Sequence, residues 1–307
     1  MNWILLAEQF LNGLQFGILL FLLAAGLTLV FGIMDMVNLT HGSFYMLGAF
    51  FCATFAAWTG SFFIGVILAL PVTLAAGLFV EFIALRTLYE RDHLDQVLAT
   101  FGLILFFNEL VQVIWPLDGL SIALPKYLDG AVSLGLGVTY PVYRMMIIAV
   151  GLAVALGLYL LVSKSRIGML IRAGASNRVM VGALGIDIKK LFTLVFGLGA
   201  ALAGLAGMMI APILGATSGM GEQILILAFV VIVIGGIGSI RGAFIASILA
   251  GVIDTMGRSF LDVFLLTFMP ANAAEAAGPA LSSMLVYILM AVILFFRPQG
   301  LFPPRSG

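Results

Sequence analysis

Long apolar segments recur along the chain, and each is bounded by a short polar or glycine-containing stretch. A helix needs about 20 predominantly apolar residues to cross the hydrocarbon core of a bilayer. Segments of this kind lie at 10–33, 44–59, 61–84, 95–115, 141–162, 191–213, 223–240, 243–264 and 280–296. The second is short, and the two that meet near Gly235–Gly242 are alternatively one broken element. The pattern predicts an all-α, polytopic transmembrane helical bundle of eight or nine spans, in a single domain over residues 1–307.

Small residues recur at every fourth position in two of these segments. The two stripes are Gly199, Ala203, Gly207 and Ala211, and Ala243, Ser247, Gly251 and Thr255. Small residues let helix backbones approach closely in a membrane, where lipid gives helices no hydrophobic reason to associate. We therefore expect both stripes to be helix-packing faces.

Composition agrees with a lipid environment, because only 9% of the 307 residues are charged and 63% are hydrophobic. Soluble domains carry about 25% charged residues. The formal net charge is zero, so no nucleic-acid partner is expected. The single cysteine, Cys52, excludes an internal disulfide, and with His41 and His93 it gives no metal-ligand spacing. The first charged residue is Glu8, which favours a retained first span over a cleaved signal peptide.

The distribution of cations predicts an orientation, because cytoplasmic loops of membrane proteins carry an excess of lysine and arginine. The chain has fourteen such residues. If loop 163–190 is cytoplasmic, the nine-span arrangement leaves Lys126, Arg144 and Arg258 outside and places the other eleven inside. We therefore expect a multi-pass protein of the bacterial inner membrane, with a periplasmic N-terminus and a cytoplasmic C-terminus.

The most polar break between two spans covers residues 35–43. It contains Asn38, Thr40, His41 and Gly42, between two apolar segments. Irregular backbone at membrane depth is tolerated only where it is buried in protein or lines a cavity. One hypothesis is that these four residues line the solute path or its gate. The other is an ordinary cytoplasmic turn, in which Asp35 and His41 are simply solvated.

Other polar residues lie within or beside the spans. Glu81 is near the end of the third span and close to Arg86, which predicts an ion pair at the helix end. Asn108, Glu109 and Gln112 lie toward the outer end of the fourth span. Two explanations stay open for these three: hydrogen bonds between helices, or contact with a solute from the periplasmic side.

The longest hydrophilic cytoplasmic segment, residues 163–190, mixes arginines with spaced apolar residues. Ser176 or Asn177 is a suitable N-cap for a short helix over about 177–184, and Gly185 is suited to ending it. Such an amphipathic helix can dock in a groove of a cytosolic partner. Alternatively, it lies at the membrane surface and holds two spans apart, with its arginines near anionic head groups.

Several segments, in the same order and over essentially the whole length, resemble the permease subunits of branched-chain amino acid ABC transporters. They are Asn38–Gly48 (NLTHGSFYMLG), Gly168–Arg178 (GMLIRAGASNR), Ala183–Ile186 (ALGI), Phe196–Gly207 (FGLGAALAGLAG), Gly235–Gly242 (GGIGSIRG) and Phe296–Phe302 (FRPQGLF). The resemblance is strongly specific for the family and less so for the solute.

This resemblance implies a coupling helix that inserts into an ATPase subunit, within residues 173–186, called the coupling segment below. The contact residues that it implies are Ala173, Ser176, Asn177, Arg178, Gly182, Gly185 and Ile186. It also implies three partners: cytosolic ATPase subunits, a second, related permease subunit that encloses the solute path with this one, and a periplasmic solute-binding protein. The implied solutes are branched-chain amino acids or related small molecules, and no cofactor is expected.

Catalytic motifs are missing from the sequence. The chain has no G-x-x-x-x-G-K-[ST] phosphate loop, no H-E-x-x-H and no G-x-S-x-G. We therefore predict no catalytic residue in this chain and ATP hydrolysis by a separate polypeptide. The alternative function is a self-contained secondary transporter or channel, which requires buried ionisable pairs or discontinuous helices that form ion sites. An intramembrane enzyme would need a nucleophile with a base or a metal set, and none is recognisable.

Overall fold

The structure, a computed structural model, describes residues 3–89, 91–115, 117–135 and 137–302. Helices dominate, and the predicted all-α polytopic bundle is confirmed. The helices are α1 (Trp3–Met34), α2 (His41–Thr59), α3 (Phe62–Ile83), α4 (His93–Ile114), α5 (Val142–Lys164), α6 (Arg166–Ala183), α7 (Ile188–Leu214), α8 (Met220–Gly235), α9 (Ile240–Leu265) and α10 (Ala271–Phe296). A 3₁₀ turn, Leu85–Leu88, follows α3. The strands β1 (Ala131–Gly135) and β2 (Val138–Pro141) form an antiparallel hairpin that the hydrophobic pattern does not predict.

Among the described residues, seven helices are long and apolar enough to cross a membrane, namely α1, α3, α4, α5, α7, α9 and α10. The two remaining predicted spans correspond to α2, with 19 residues, and α8, with 16. Gly236 has a φ of 99° and follows the last residue of α8, so α8 and α9 are separate helices and not one broken element. The predicted span 223–240 therefore extends beyond the true end of α8.

The centre of the bundle is formed by α1 and α7. In each, 83% of the most apolar 18-residue stretch is buried, whereas the corresponding share is 39% in α9 and 11% in α10. The outer helices expose large apolar side chains, among them Phe79, Val113 and Phe295. Such a surface is unfavourable in water and is solvated well by lipid tails. The burial pattern therefore agrees with a protein that spans a membrane.

Close contacts between helices use both small-residue stripes. A Cβ atom on Gly199 of α7 would lie 3.1 Å from the carbonyl oxygen of Gly26 in α1. Gly207 of α7 lies against the backbone of Tyr45 in α2, and Gly251 of α9 lies against the backbone of α1. A side chain at Gly207 or Gly251 would collide with that backbone. The predicted packing role of the stripes is confirmed.

Contacts between loops define two sides of the bundle. On one side, Leu120 and Ala216 exchange backbone hydrogen bonds of 2.9 and 2.7 Å, which join the loop after α4 to the loop after α7. On the other side, Leu301 N donates to the carbonyl oxygen of Ile234 over 2.8 Å, which joins the C-terminal segment to the end of α8. These contacts place the ends of α4 and α7 together and the ends of α8 and α10 together, as alternating membrane crossings require.

Candidate translocation and coupling sites

The polar break between α1 and α2 re-enters the bundle. His41 Nε2 lies 3.1 Å from the carbonyl oxygen of Leu23. Leu23 precedes Met34, the last residue of α1, by eleven positions, and this corresponds to about 16 Å along an α-helix. Residues 35–40 therefore run back from the end of α1 toward the middle of the bundle. We call them the re-entrant segment.

Hydrogen bonds to α4 hold the re-entrant segment in place. Val37 N donates to Gln96 Oε1 over 3.2 Å, and Thr40 Oγ1 donates to the carbonyl oxygen of Thr100 over 3.2 Å. The hypothesis of an ordinary turn is wrong for His41, which is 0% exposed, as are Asn38 and Thr40. Asp35 is exposed, as that hypothesis expects. This irregular backbone is tolerated at depth because protein surrounds it.

Several buried polar atoms around the start of α2 have no hydrogen-bond partner within the described part of the chain. They are Thr28 Oγ1, Asn38 Nδ2, His41 Nδ1 and Ser43 Oγ. Most buried polar atoms in proteins are hydrogen-bonded, and an unpaired one costs about 1–3 kcal/mol. Packing alone does not account for such a group, whereas a site that binds a polar ligand in another conformation would. Contact of Asn38, Thr40, His41 and Gly42 with a solute stays a prediction.

Gly42 brings the N-terminus of α2 against the N-terminus of α8. A Cβ atom on Gly42 would collide with the carbonyl oxygen of Gly221, and a Cβ atom on Gly221 would collide with the carbonyl oxygen of Gly42. A narrow cleft lies beside this contact, with about 180 Å³ of empty space but no room for a water molecule. Residues of α2, α4 and α8 line it, including Ser43, Asn108 and Glu222. We call it the α2–α8 cleft.

Polar side chains of α4 contact the start of α8 and the loop before it. Asn108 Nδ2 donates to Glu222 Oε1, and Gln112 Nε2 donates to Ser218 Oγ over 3.4 Å. For Asn108, the hypothesis of a hydrogen bond between helices is therefore confirmed. Gln112 bonds instead to the loop before α8, and Glu109 is exposed. Glu222 was not predicted as a site residue. The signal that could have found it is a lone carboxylate in the first turn of an apolar helix.

Glu81, which is fully buried, is the centre of a polar cluster at the end of α3. Arg86 Nε lies 3.6 Å from Glu81 Oε1, which confirms the predicted ion pair. Thr193 Oγ1 donates to Glu81 Oε2 over 3.0 Å, and Tyr89 Oη donates to Oε1. Burial and the Glu81 carboxylate raise the pKa of Tyr89 above its ordinary value, and the charge of Arg86 acts in the opposite direction. The cluster joins α3 to the first turns of α7.

Helix α6 contains a break that separates two helical parts. Asn177 has a non-helical backbone (φ −154°, ψ 91°), and its Oδ1 accepts a hydrogen bond from Met180 N over 2.9 Å. Of the two predicted N-caps, Ser176 and Asn177, it is therefore Asn177 that caps the short helix. Gly185 has a φ of 85° and follows the last helical turn, as predicted for the residue that ends this helix.

Arg178 joins the coupling segment to α1. Its Nη1 lies 3.4 Å from the carbonyl oxygen of Met34, the last residue of α1. A cation is favourable there because the C-terminus of a helix carries partial negative charge. A groove of about 410 Å³ lies between the end of α1, the coupling segment and the turn before α9. Arg178 and the groove therefore connect the coupling segment to the end of a central helix.

The coupling segment exposes large apolar side chains. Val179, Met180 and Leu184 are 78%, 58% and 74% exposed. The predicted contact residues comprise five that are exposed and two that are half-buried. The exposed ones are Ser176, Asn177, Arg178, Gly182 and Gly185, and the half-buried ones are Ala173 and Ile186. The family pattern points to the polar and glycine positions of this surface but not to its three large apolar residues, and no local signal in the sequence distinguishes them from Val181, which is buried.

The structure combines a membrane bundle, a buried polar break and an exposed short helix between two spans, which agrees with a transport permease. The sequence model of the family described as "Branched-chain amino acid transport system / permease component" matches residues 9–294. The chain belongs to this family, and the resemblance drawn from its motifs is confirmed. It is a multi-pass membrane permease component.

Individual relatives agree with the family assignment. The chain is 32% identical to the high-affinity branched-chain amino acid transport system permease protein BraD of Pseudomonas aeruginosa, over 96% of this chain and 94% of the relative. It is 28% identical to the corresponding permease protein LivH of Escherichia coli K12, over 83% of this chain and 87% of the relative. A probable LivH permease of Methanocaldococcus jannaschii is 26% identical over 92% and 88%. No solved structure matches the chain.

Proposed function

We propose that this chain is the permease subunit of an ATP-binding-cassette importer that carries branched-chain amino acids or related small solutes across the bacterial inner membrane. The family and the names of the relatives support this class of solute. We treat residues 1–307 as one transmembrane domain. Its N-terminus is periplasmic and its C-terminus cytoplasmic, which the distribution of lysine and arginine supports.

The observation that carries the ATPase partner is the exposed apolar surface of Val179, Met180 and Leu184 on the coupling segment. Such a surface is unfavourable in water, and docking into a groove of a cytosolic ATPase subunit would bury it. Asn177 caps the short helix, and Arg178 contacts the end of α1. The segment therefore acts as a lever that transmits ATPase movement to the centre of the bundle.

The remaining partners follow from the same proposal. A periplasmic binding protein delivers the solute, and a second, related permease subunit encloses the path together with this one. Asn38, Thr40, His41 and Gly42 line the path or its gate. The unpaired polar atoms at the start of α2 support this role, because a bound solute could complete their hydrogen bonds.

A second candidate function is a self-contained secondary transporter. The observation that favours it is the re-entrant segment, since secondary transporters form ion sites where helices are discontinuous. The two functions differ in their energy source. Uptake by vesicles that contain only this subunit, driven by an ion gradient without ATP, would establish the alternative and contradict the ABC importer.

The experiment that tests the importer is purification of the chain with its co-expressed genomic neighbours. We expect an ATPase subunit to co-purify, and Gly185→Arg to abolish both its binding and ATP-dependent uptake while membrane insertion persists. Gly60→Arg is the matched control. The two glycines have similar backbone conformations, with φ values of 69° for Gly60 and 85° for Gly185, and an added Cβ at either would meet no atom within 4 Å. They differ in position, because Gly60 follows α2 on the opposite side of the bundle. Gly60→Arg should keep the ATPase bound.

A further inference from the structure

The N-termini of α2 and α8 converge within the bundle. Gly42 and Gly221 lie in the first turns of these helices, and their backbones are in contact. Neither N-terminus is capped by a side-chain hydrogen bond. A helix N-terminus carries about half a positive charge, because its first N–H groups have no partner within the helix. Two such ends at one point create a positive potential that favours a carboxylate.

Ser43 provides an independent indication of a ligand. Its side chain lines the α2–α8 cleft, it is only 3% exposed, and its Oγ has no hydrogen-bond partner. A buried hydroxyl group without a partner is uncommon in proteins. A serine hydroxyl can donate a hydrogen bond to a carboxylate oxygen. Ser43 therefore has both the position and the unused donor that a bound carboxylate needs.

Glu222 places a negative charge at the same cleft. Asn108 Nδ2 donates to Glu222 Oε1 and so orients the carboxylate. None of the ion pairs found in the described part of the chain includes Glu222. Glu222 itself is exposed, so its carboxylate is accessible to a ligand. A cationic group of a ligand would supply the missing partner.

We propose that the α2–α8 cleft binds the two charged groups that all free α-amino acids share. The carboxylate lies at the N-termini of α2 and α8 and accepts a hydrogen bond from Ser43 Oγ, and the ammonium group lies at Glu222. The inference rests on the proposed function, since it requires that the solute pass along this bundle. The site selects amino acids as a class, because it contacts only the groups common to them.

The cleft is closed in this structure, because it has no room for a water molecule. Binding therefore requires α2 and α8 to separate at Gly42 and Gly221. The two glycines themselves have no side chains to interlock, so the movement must displace the neighbouring side chains, such as Leu225, and not the glycines. Packed elements with two discrete arrangements are the usual basis of such switching.

Thiol protection tests the site directly. In the assembled transporter, a Ser43→Cys variant that also carries Cys52→Ala is treated with a small thiol reagent during ATP turnover. L-Leucine, L-valine and L-alanine should each slow the modification. 3-Methylbutylamine and 4-methylpentanoate, which each lack one charged group, should not. Equal protection by either analogue, no protection by any amino acid, or a thiol that never reacts would each overturn the proposal.

Uptake into proteoliposomes supplies a second test. Glu222→Gln keeps a hydrogen-bond acceptor for Asn108 but removes the negative charge. The solute concentration for half-maximal uptake should therefore rise by about 10- to 150-fold, which corresponds to the loss of a hydrogen bond to a charged group. Glu275→Gln changes an exposed carboxylate on α10 and should leave uptake unaltered. Unchanged uptake in Glu222→Gln would overturn the site. Failure of the proposed function would look different: the wild-type protein would show no ATP-dependent uptake, while thiol protection, measured on the purified chain without ATP, would still report on the cleft.

Discussion

Leu184 lies at the end of the short helix in the coupling segment, with 74% of its surface exposed. Full burial of a leucine side chain stabilises by about 1.5–3 kcal/mol. A partner that covers the exposed part therefore gains about 1–2 kcal/mol from this residue. Leu184→Ala should remove most of that gain. Because 1.4 kcal/mol corresponds to a tenfold change in affinity, the ATPase subunit should bind about 5- to 30-fold more weakly.

The assay for Leu184→Ala is the affinity of the co-purified ATPase subunit for the permease in lipid nanodiscs. Leu214→Ala is the matched control, because Leu214 is 69% exposed but ends α7 on the opposite side of the bundle. It should leave the affinity unchanged. Wild-type affinity in a folded Leu184→Ala protein would refute the docking surface. An equal loss in Leu214→Ala would show that leucine truncation acts through the bundle and not through the contact.

Three other predictions concern packing, orientation and pH. Gly48→Ile should destabilise the bundle by about 1–3 kcal/mol, because a side chain there meets the backbone of α7. Gly102→Ile is the control and should not destabilise the bundle, because an added Cβ there has open space. Thermal unfolding measures the stability of both variants. In a protein without its native cysteine, an impermeant thiol reagent added to intact cells should react with Tyr127→Cys on the periplasmic side. It should not react with Ser176→Cys on the cytoplasmic side. The reverse pattern would contradict the proposed orientation. The raised pKa of Tyr89 stabilises the fold at low and neutral pH, and this stabilisation is lost as the pH rises beyond the ordinary value of 10. Tyr89→Phe should remove that alkaline dependence from thermal unfolding curves.

The short helix of the coupling segment was predictable because its signals are local. Asn177 caps the helix through its own side chain and Gly185 ends it through its backbone conformation, and neither depends on a distant residue. The exposure of Val179, Met180 and Leu184 was not predictable in this way. It depends on which side of the helix faces the bundle, and the contact between Arg178 and the end of α1 contributes to that orientation.

The polar break at residues 35–43, which includes the re-entrant segment, shows the limit of hydrophobic patterning. Residues 35–43 have the composition of a turn, and the same pattern is compatible with a loop in water. Contacts with residues far away in the sequence, Leu23 in α1 and Thr100 in α4, place the segment within the bundle. The convergence of Gly42 with Gly221 is equally non-local, so no pattern within either segment predicts it.

The sequence by itself determined that this protein spans a membrane, where most of its helices lie and which family it belongs to. Lipid is a solvent that acts on each segment separately, so length and apolarity are sufficient to predict a span. Only the tertiary structure decided which helices are central, where the polar break lies and which charged and polar groups meet at the α2–α8 cleft. Those features arise from contacts between helices, and a helix that is apolar on every side does not specify its neighbours.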